Sequence, residues 1–178
     1  MRARTHHKTI TSYNYQMSTL FTPFQGAGGP MIISDLSKIE GRQFPARRRT
    51  QPFAGAGTPI PTEGFGLGLV TFEPNGGQVP WHNQEQEEIY FVIEGQGEMC
   101  LGSEKKSLKA GQAVFIPPGE YHQLTNTGDV PLKMIYCCGS GFVAHPQQEL
   151  DGTLPKAGID VPPLPNGATP QHTDPPTS

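Results

Sequence analysis

Between residues 67 and 139 the chain repeats one device. A short run of Val, Ile, Leu, Phe and Tyr is followed by a turn built from Gly, Pro, Asn or Asp. The runs fall at 67–73, 89–93, 98–101, 113–116, 121–125 and 132–137, and the turns include Asn75-Gly76-Gly77, Glu94-Gly95, Ala110-Gly111 and Pro117-Pro118-Gly119. Short apolar runs cut by such residues are strands that pair with their neighbours, and many in series make a sandwich or barrel. No segment sustains a 3.6-residue apolar period over three turns, so the expected fold class is all-β.

The flanks read differently. Glycine (22) and proline (19) are abundant, and much of the excess lies before residue 80 and after residue 144. The expected organisation is a flexible extension over 1–30, a barrel domain over 31–143 and a Pro-rich arm or tail over 144–178. Residues 31–35 (MIISD) read as a strand, and 52–66 as an extended loop punctuated by Gly and Pro. In the C-terminal stretch Leu150, Leu154, Ile159, Val161 and Leu164 suit an arm laid on a surface as far as residue 165, with disorder beyond it.

Charge and cysteine usage narrow the function classes. The net charge is -3 with 13 Lys+Arg, so no basic stripe exists to neutralise a nucleic-acid backbone. The run Arg47-Arg48-Arg49 reads as a solvated strand end or turn, with acidic-ligand binding as the alternative. Three cysteines, two of them the adjacent Cys137 and Cys138, do not make a disulfide framework and read as buried, inert residues. No apolar leader or membrane-length run is present, so no membrane partner is expected and a cytoplasmic location is. His6 and His7 sit in a polar tail and are not read as ligands.

One constellation carries chemistry. Side chains on a strand alternate between faces, so His82, Gln84 and Glu88 can share one face. His122 follows a tight turn, Pro117-Pro118-Gly119, onto another strand, and inward residues of a barrel converge on its interior. Two imidazoles and a carboxylate with open positions suit a divalent ion of the Fe, Mn, Ni, Zn or Co kind.

The pattern resembles the cupin family. Motif 1 of that family, G-x5-H-x-H-x3,4-E-x6-G, is matched by Gly76, His82, Gln84, Glu88 and Gly95, with glutamine where the second histidine stands. Motif 2, G-x5-P-x-G-x2-H-x3-N, is matched by Gly111, Pro117, Gly119, His122 and Asn126. Fifteen residues separate the motifs. The resemblance covers roughly residues 65–140 and implies a jelly-roll barrel with one divalent metal at His82, Glu88 and His122. Gln84 either offers its oxygen as a fourth, weaker ligand or hydrogen-bonds a water or substrate beside a three-ligand metal. A metal-free pocket, with the histidines as hydrogen-bonded lining, is the alternative.

Trp81, Tyr90, Val92 and Leu124 are the expected pocket candidates, Trp81 either stacking on a substrate or sealing the barrel mouth. Leu67, Leu69, Phe72, Met99, Leu101, Phe115 and Met134 are expected to wall the pocket. Ile89, Phe91 and Ile93 make the other face of their strand apolar too, which points to a homodimer. No inward Lys or Arg is apparent near the motifs, which weighs against phosphosugars and dicarboxylates. Members of the family include dioxygenases, isomerases, lyases and polyketide cyclases, as well as non-catalytic binding proteins. The resemblance therefore implies a metal-dependent enzyme acting on a small, partly apolar, oxygen-bearing molecule, or a module that captures such a molecule without turnover.

Overall fold

Among the described residues, ten strands and one short helix follow each other: β1 (Arg42–Phe44), β2 (Arg48–Ala54), β3 (Phe65–Phe72), β4 (Gln78–His82), β5 (Glu88–Glu94), β6 (Gln96–Leu101), β7 (Glu104–Lys109), β8 (Ala113–Ile116), β9 (His122–Thr125), β10 (Leu132–Gly139) and α1 (Pro146–Leu150). They come from a computed structural model that describes residues 29–140 and 146–173. His6, His7 and nearly all of the expected N-terminal extension lie outside the described residues.

The strands form a six-stranded sheet in the order β1-β2-β3-β10-β5-β8 and a four-stranded sheet in the order β4-β9-β6-β7. Each strand pair is antiparallel. Neighbours such as β3 and β10 are 60 residues apart in sequence, the crossed connectivity of a jelly roll. The inner faces supply one core. Val70, Phe72, Tyr90, Val92, Ile116, Leu132 and Met134 come from the larger sheet, and Val79, Met99, Leu108 and Leu124 from the smaller. This is the all-β fold that the spacing of the apolar runs predicts, in the jelly-roll form that the cupin resemblance implies.

Three strands escape both the apolar runs and the motif that carries His82. β1 and β2 carry RQF and RRTQPFA, polar enough to read as loop, yet β2 is held in register on both sides by β1 and β3. β7 (EKKSLK) buries only Leu108 and closes one edge of the small sheet. Lysines on an edge strand discourage pairing with other chains, which explains why its composition hides it. In contrast, residues 31–35 form no strand. Ile32 and Ile33 are exposed, and a 3₁₀ turn at Leu36–Lys38 follows, capped by the Asp35 side chain on the Ser37 amide at 3.0 Å.

Beyond α1 the chain lies on the outer face of the small sheet well past residue 165. The Gln123 side chain donates to the Thr169 carbonyl at 2.8 Å, and the Thr169 amide donates to Glu98 at 2.6 Å. Gln78 donates to the Pro170 carbonyl at 3.1 Å and accepts the His172 amide at 2.7 Å. An extended, Pro-rich segment has few internal hydrogen bonds, so its polar groups are satisfied by the sheet beneath it.

Candidate metal centre and pocket

The two sequence motifs meet at one end of the barrel. Gly119, at φ +77°, makes the turn before β9 in a conformation that glycine adopts without strain. Its amide donates to the Gln84 carbonyl at 2.6 Å, and Asn83 donates to its carbonyl at 3.1 Å. This ties the loop carrying Gln84 to the turn that launches His122. On the next turn Asn126 donates to the carbonyls of Glu73 and Val130 and accepts the Gly128 amide. The last motif residue is thus a structural clasp.

His82 at the end of β4, Glu88 at the start of β5 and His122 at the start of β9 bring three ligand atoms within 4.8 Å of one another. The imidazole centroids lie 4.2 Å apart, and Nε2 of His122 is 3.5 Å from a Glu88 oxygen. Both rings are turned the same way by backbone carbonyls. Nδ1 of His82 donates to the Pro80 carbonyl at 2.8 Å, and Nδ1 of His122 to the Glu120 carbonyl at 3.1 Å. With the proton fixed on Nδ1, each Nε2 keeps its lone pair, as a metal ligand requires.

Electrostatics agree with that reading. Burial lowers His82 to a pKa of about 3, with the neighbouring His122 adding to the fall, and burial lowers His122 to about 4. Both rings are neutral at physiological pH. Burial also raises Glu88, 3% exposed, to about 7, against the opposing influence of His82 and a hydrogen bond from Tyr90. The Tyr90 hydroxyl lies 3.2 Å from Nε2 of His122, and burial raises its pKa well above 10, so it stays a donor.

Gln84 supplies the fit test for a cation. It is buried, and its amide nitrogen lies 3.3 Å from Glu88 while its Oε1 has no hydrogen-bond partner. Turning the amide by half a rotation exchanges the two atoms and puts an oxygen at that distance. Atoms bound to one ion at about 2.1 Å in right-angled geometry sit about 3 Å apart. The separations of 3.3 Å for Gln84–Glu88 and 3.5 Å for His122–Glu88 are close to this. The donor set, two neutral imidazoles, one carboxylate and one amide oxygen, therefore fits a borderline divalent ion.

A cavity of about 110 Å³ opens beside the triad, with His82, Glu88 and Tyr90 at one side and Phe44, Val70, Val79, Met134 and Leu154 among its apolar walls. Gly68 makes room for the ring of Tyr136 at its wall. A Cβ there would lie 2.4 Å from the ring of Tyr136, another lining residue.

Several expected residues sit elsewhere. Trp81 is 1% exposed, but it stands on the face opposite its neighbour His82 and does not line the cavity. Its Nε1 donates to the Pro162 carbonyl at 2.9 Å, so it is sealed beneath the C-terminal segment. Val92 and Leu124 are fully buried in the core between the sheets. Phe115 is 52% exposed on the outer face of β8, opposite the wall it was expected to join. Leu67 and Leu69 likewise alternate with the buried Val70 and Phe72, so they share the outer side of β3.

The expectation that the run Arg47-Arg48-Arg49 is solvated is overturned at Arg48. The three arginines part company because a turn and then a strand run through them. Arg47, at φ +56°, holds the carbonyls of Pro74 and Asn75. Arg49 is exposed, whereas Arg48 is buried, lines the cavity and pairs with Glu149 of α1. Burial along β2 falls at Arg48, Gln51 and Ala54, every third residue, so no period-two pattern marks Arg48, and nothing in the sequence near Glu149 signals its partner.

Comparison with known proteins decides the family. The Cupin_2 model, a cupin domain, matches residues 68–138. The polyketide synthase CurC of Streptomyces cyaneus is 30% identical over 110 residues, which are 60% of this chain and 68% of that one. This chain belongs to the cupin superfamily. An uncharacterised protein of Methanocaldococcus jannaschii is 42% identical to this cupin over 64 residues, 36% of this chain. The match spans half the length of that relative (50%). The crystal structure of the DMSP lyase DddQ from Ruegeria pomeroyi DSS-3 superposes with a TM-score of 0.51 at 26% identity, covering 63% of this chain and 57% of the other. Among the described residues of this cupin no helix is long and apolar enough to cross a membrane.

Proposed function

We propose that this cupin holds one divalent metal ion on His82, Glu88, His122 and the Gln84 side-chain oxygen, and is an enzyme for a small, partly apolar, oxygen-bearing substrate. The observation that carries the reading is the preset pair of imidazoles. Two neutral rings present Nε2 to a buried carboxylate, at the side of a cavity with mixed apolar and polar walls. A bound divalent ion would polarise an oxygen of the substrate or activate a small oxygen ligand. Around it, the apolar walls hold the substrate body and exclude water. Tyr90 positions a phenolic proton beside His122, and Glu88 carries the negative charge that balances the ion. Relatives named a polyketide synthase and a DMSP lyase support chemistry on small oxygenated molecules.

The expected dimer belongs to the same proposal. Ile89, Phe91 and Ile93 on β5 and Phe115 on β8 are adjacent and 41–52% exposed on the outer face of the large sheet. A second copy laid on this face would cover side chains that a monomer leaves in water.

The direct functional test is turnover by the metal-loaded protein of a panel of small enols, β-diketones and phenols, with dissolved oxygen followed in parallel. The proposal expects consumption of at least one compound that chelation abolishes and metal restores. Tight binding of a panel member without consumption, in protein that holds no metal as purified, would instead favour a capture module.

A further inference from the structure

Arg48 places a charge where charge is expensive. Its side chain, 8% exposed, lies 4.1 Å over the ring of Phe44 on the inner side of β2 and lines the same cavity as His82, Glu88 and Tyr90. Nη1 donates to the Gln78 carbonyl at 3.0 Å and to Glu149 at 2.5 Å. Glu149 arrives from α1, 101 residues away, and the same oxygen accepts the Ala46 amide at 3.3 Å. It is 5% exposed.

Burying two opposite charges costs several kcal/mol per ion, and a well-packed apolar pair is often at least as stable. Stability alone does not account for a guanidinium on a cavity whose walls combine apolar side chains with His82, Glu88 and Tyr90. A guanidinium in such a place is a receptor for a carboxylate, which it binds with directional, charge-assisted hydrogen bonds. Here the carboxylate is supplied by the chain itself. Glu149 belongs to the segment that also brings Leu154 to the cavity wall, outside the ten strands of the barrel.

We propose that Arg48 is an anion subsite of the pocket, that Glu149 is its built-in occupant, and that the pocket's ligand is a carboxylate on an apolar body. The ligand's carboxylate takes the place of Glu149 on Arg48, and its body lies against Phe44, Val70, Val79 and Met134. The inference extends the proposed function by naming a feature of the ligand, and the subsite itself requires no metal.

The test uses the full-length chain, stripped of metal with a chelator, and two probes of the same shape, benzoate and its neutral analogue benzamide. Titration calorimetry on the wild type is expected to show a preference for benzoate. Glu149→Gln removes the competing charge and is expected to tighten benzoate about ten-fold, the worth of one charge-assisted hydrogen bond, while benzamide changes less than about two-fold. The double variant Arg48→Met/Glu149→Gln leaves no charge unpaired and is expected to lose the preference. Benzoate binding that Glu149→Gln weakens or leaves unchanged would overturn the proposal, as would a double variant that still prefers benzoate. If the double variant fails to fold, the Glu149→Gln titration decides alone. Because the protein is metal-free throughout, failure here leaves the metal centre untouched, and failure of the wild type to hold metal leaves this result standing.

Discussion

The Tyr90 hydroxyl lies 3.2 Å from Nε2 of His122, on the nitrogen that the Glu120 carbonyl leaves unprotonated by holding the proton at Nδ1. The same hydroxyl helps hold down the pKa of Glu88. One buried phenol therefore touches the electrostatics of two ligands in the proposed centre. Replacing it separates that influence from the ligands themselves. In Tyr90→Phe the carboxyl of Glu88 loses a donor and its pKa rises further above 7. The pH at which metal loading is half-complete is then expected to move upward relative to wild type, in a chelator-buffered titration.

The pH dependence of metal affinity in the wild type has a definite sign. Both imidazoles stay neutral down to about pH 4, so near neutrality the proton lost on binding is that of Glu88, whose pKa is about 7. Affinity is expected to fall as pH drops below 7, approaching about ten-fold per unit. Glu88→Gln should bind more weakly and show little slope between pH 5.5 and 8. An equally steep slope in that variant would assign the proton to another group.

Stability of the metal-free protein responds to the same groups. The raised pKa of Glu88 gives a contribution that is full below the unfolded value of 4.5 and lost as pH rises through about 7. The lowered pKa values of His82 and His122 work the other way, their contribution being full above 6.5 and lost as pH falls toward 4 and 3. Between pH 4.5 and 6.5 the two histidines outweigh Glu88, so stability is expected to rise with pH by about one proton per unit, and above about pH 7 the opposing contributions to the slope nearly cancel and stability levels off. In Glu88→Gln the slope of the denaturation midpoints between pH 4.5 and 6.5 should steepen, to about two protons per unit, and a slope equal to wild type would contradict the assignment.

Trp81 is the single tryptophan and its indole bonds the C-terminal segment, so its fluorescence reports on how that segment is seated. Deleting residues 151–178 removes the Pro162 carbonyl and the cover over the indole. Emission should shift to the red and Tm should fall, by ~2–4 °C for each kcal/mol lost in a chain of this size. Unchanged blue emission would show that the sheet itself buries the ring.

The outer face of the large sheet gives a separate expectation. Phe91→Glu sets a charge in the middle of the exposed apolar strip while leaving the inner face of β5 intact. Light scattering is expected to show a dimer for wild type and a monomer for this variant, with metal content unchanged.

Much of this was legible in the chain before folding was considered. Glycine, proline and asparagine punctuation marks the turns, and alternation brings His82 and Glu88 to one face. Spacing then adds His122 from a second strand. Two kinds of feature stayed hidden. β2 and β7 are held by pairing with their neighbours rather than by apolar side chains, so their composition resembles loop. Arg48 and Trp81 owe their environments to α1 and the C-terminal segment, contacts spanning 101 and 81 residues that no local pattern encodes. Alternation from His82 already sets Trp81 on the opposite face, and the one-residue register shift in β4 is what lets Val79 and His82 line the cavity together.

Metal stoichiometry tests the central claim most directly. Protein purified without chelators, or stripped and reloaded with one divalent ion, is measured by elemental analysis beside His82→Ala and His122→Ala. The account predicts about one ion per chain in the wild type and loss of stoichiometric binding in each variant, with all three proteins folded by circular dichroism. A wild type that holds no ion after reloading, or a His82→Ala variant that still holds one per chain, would contradict it.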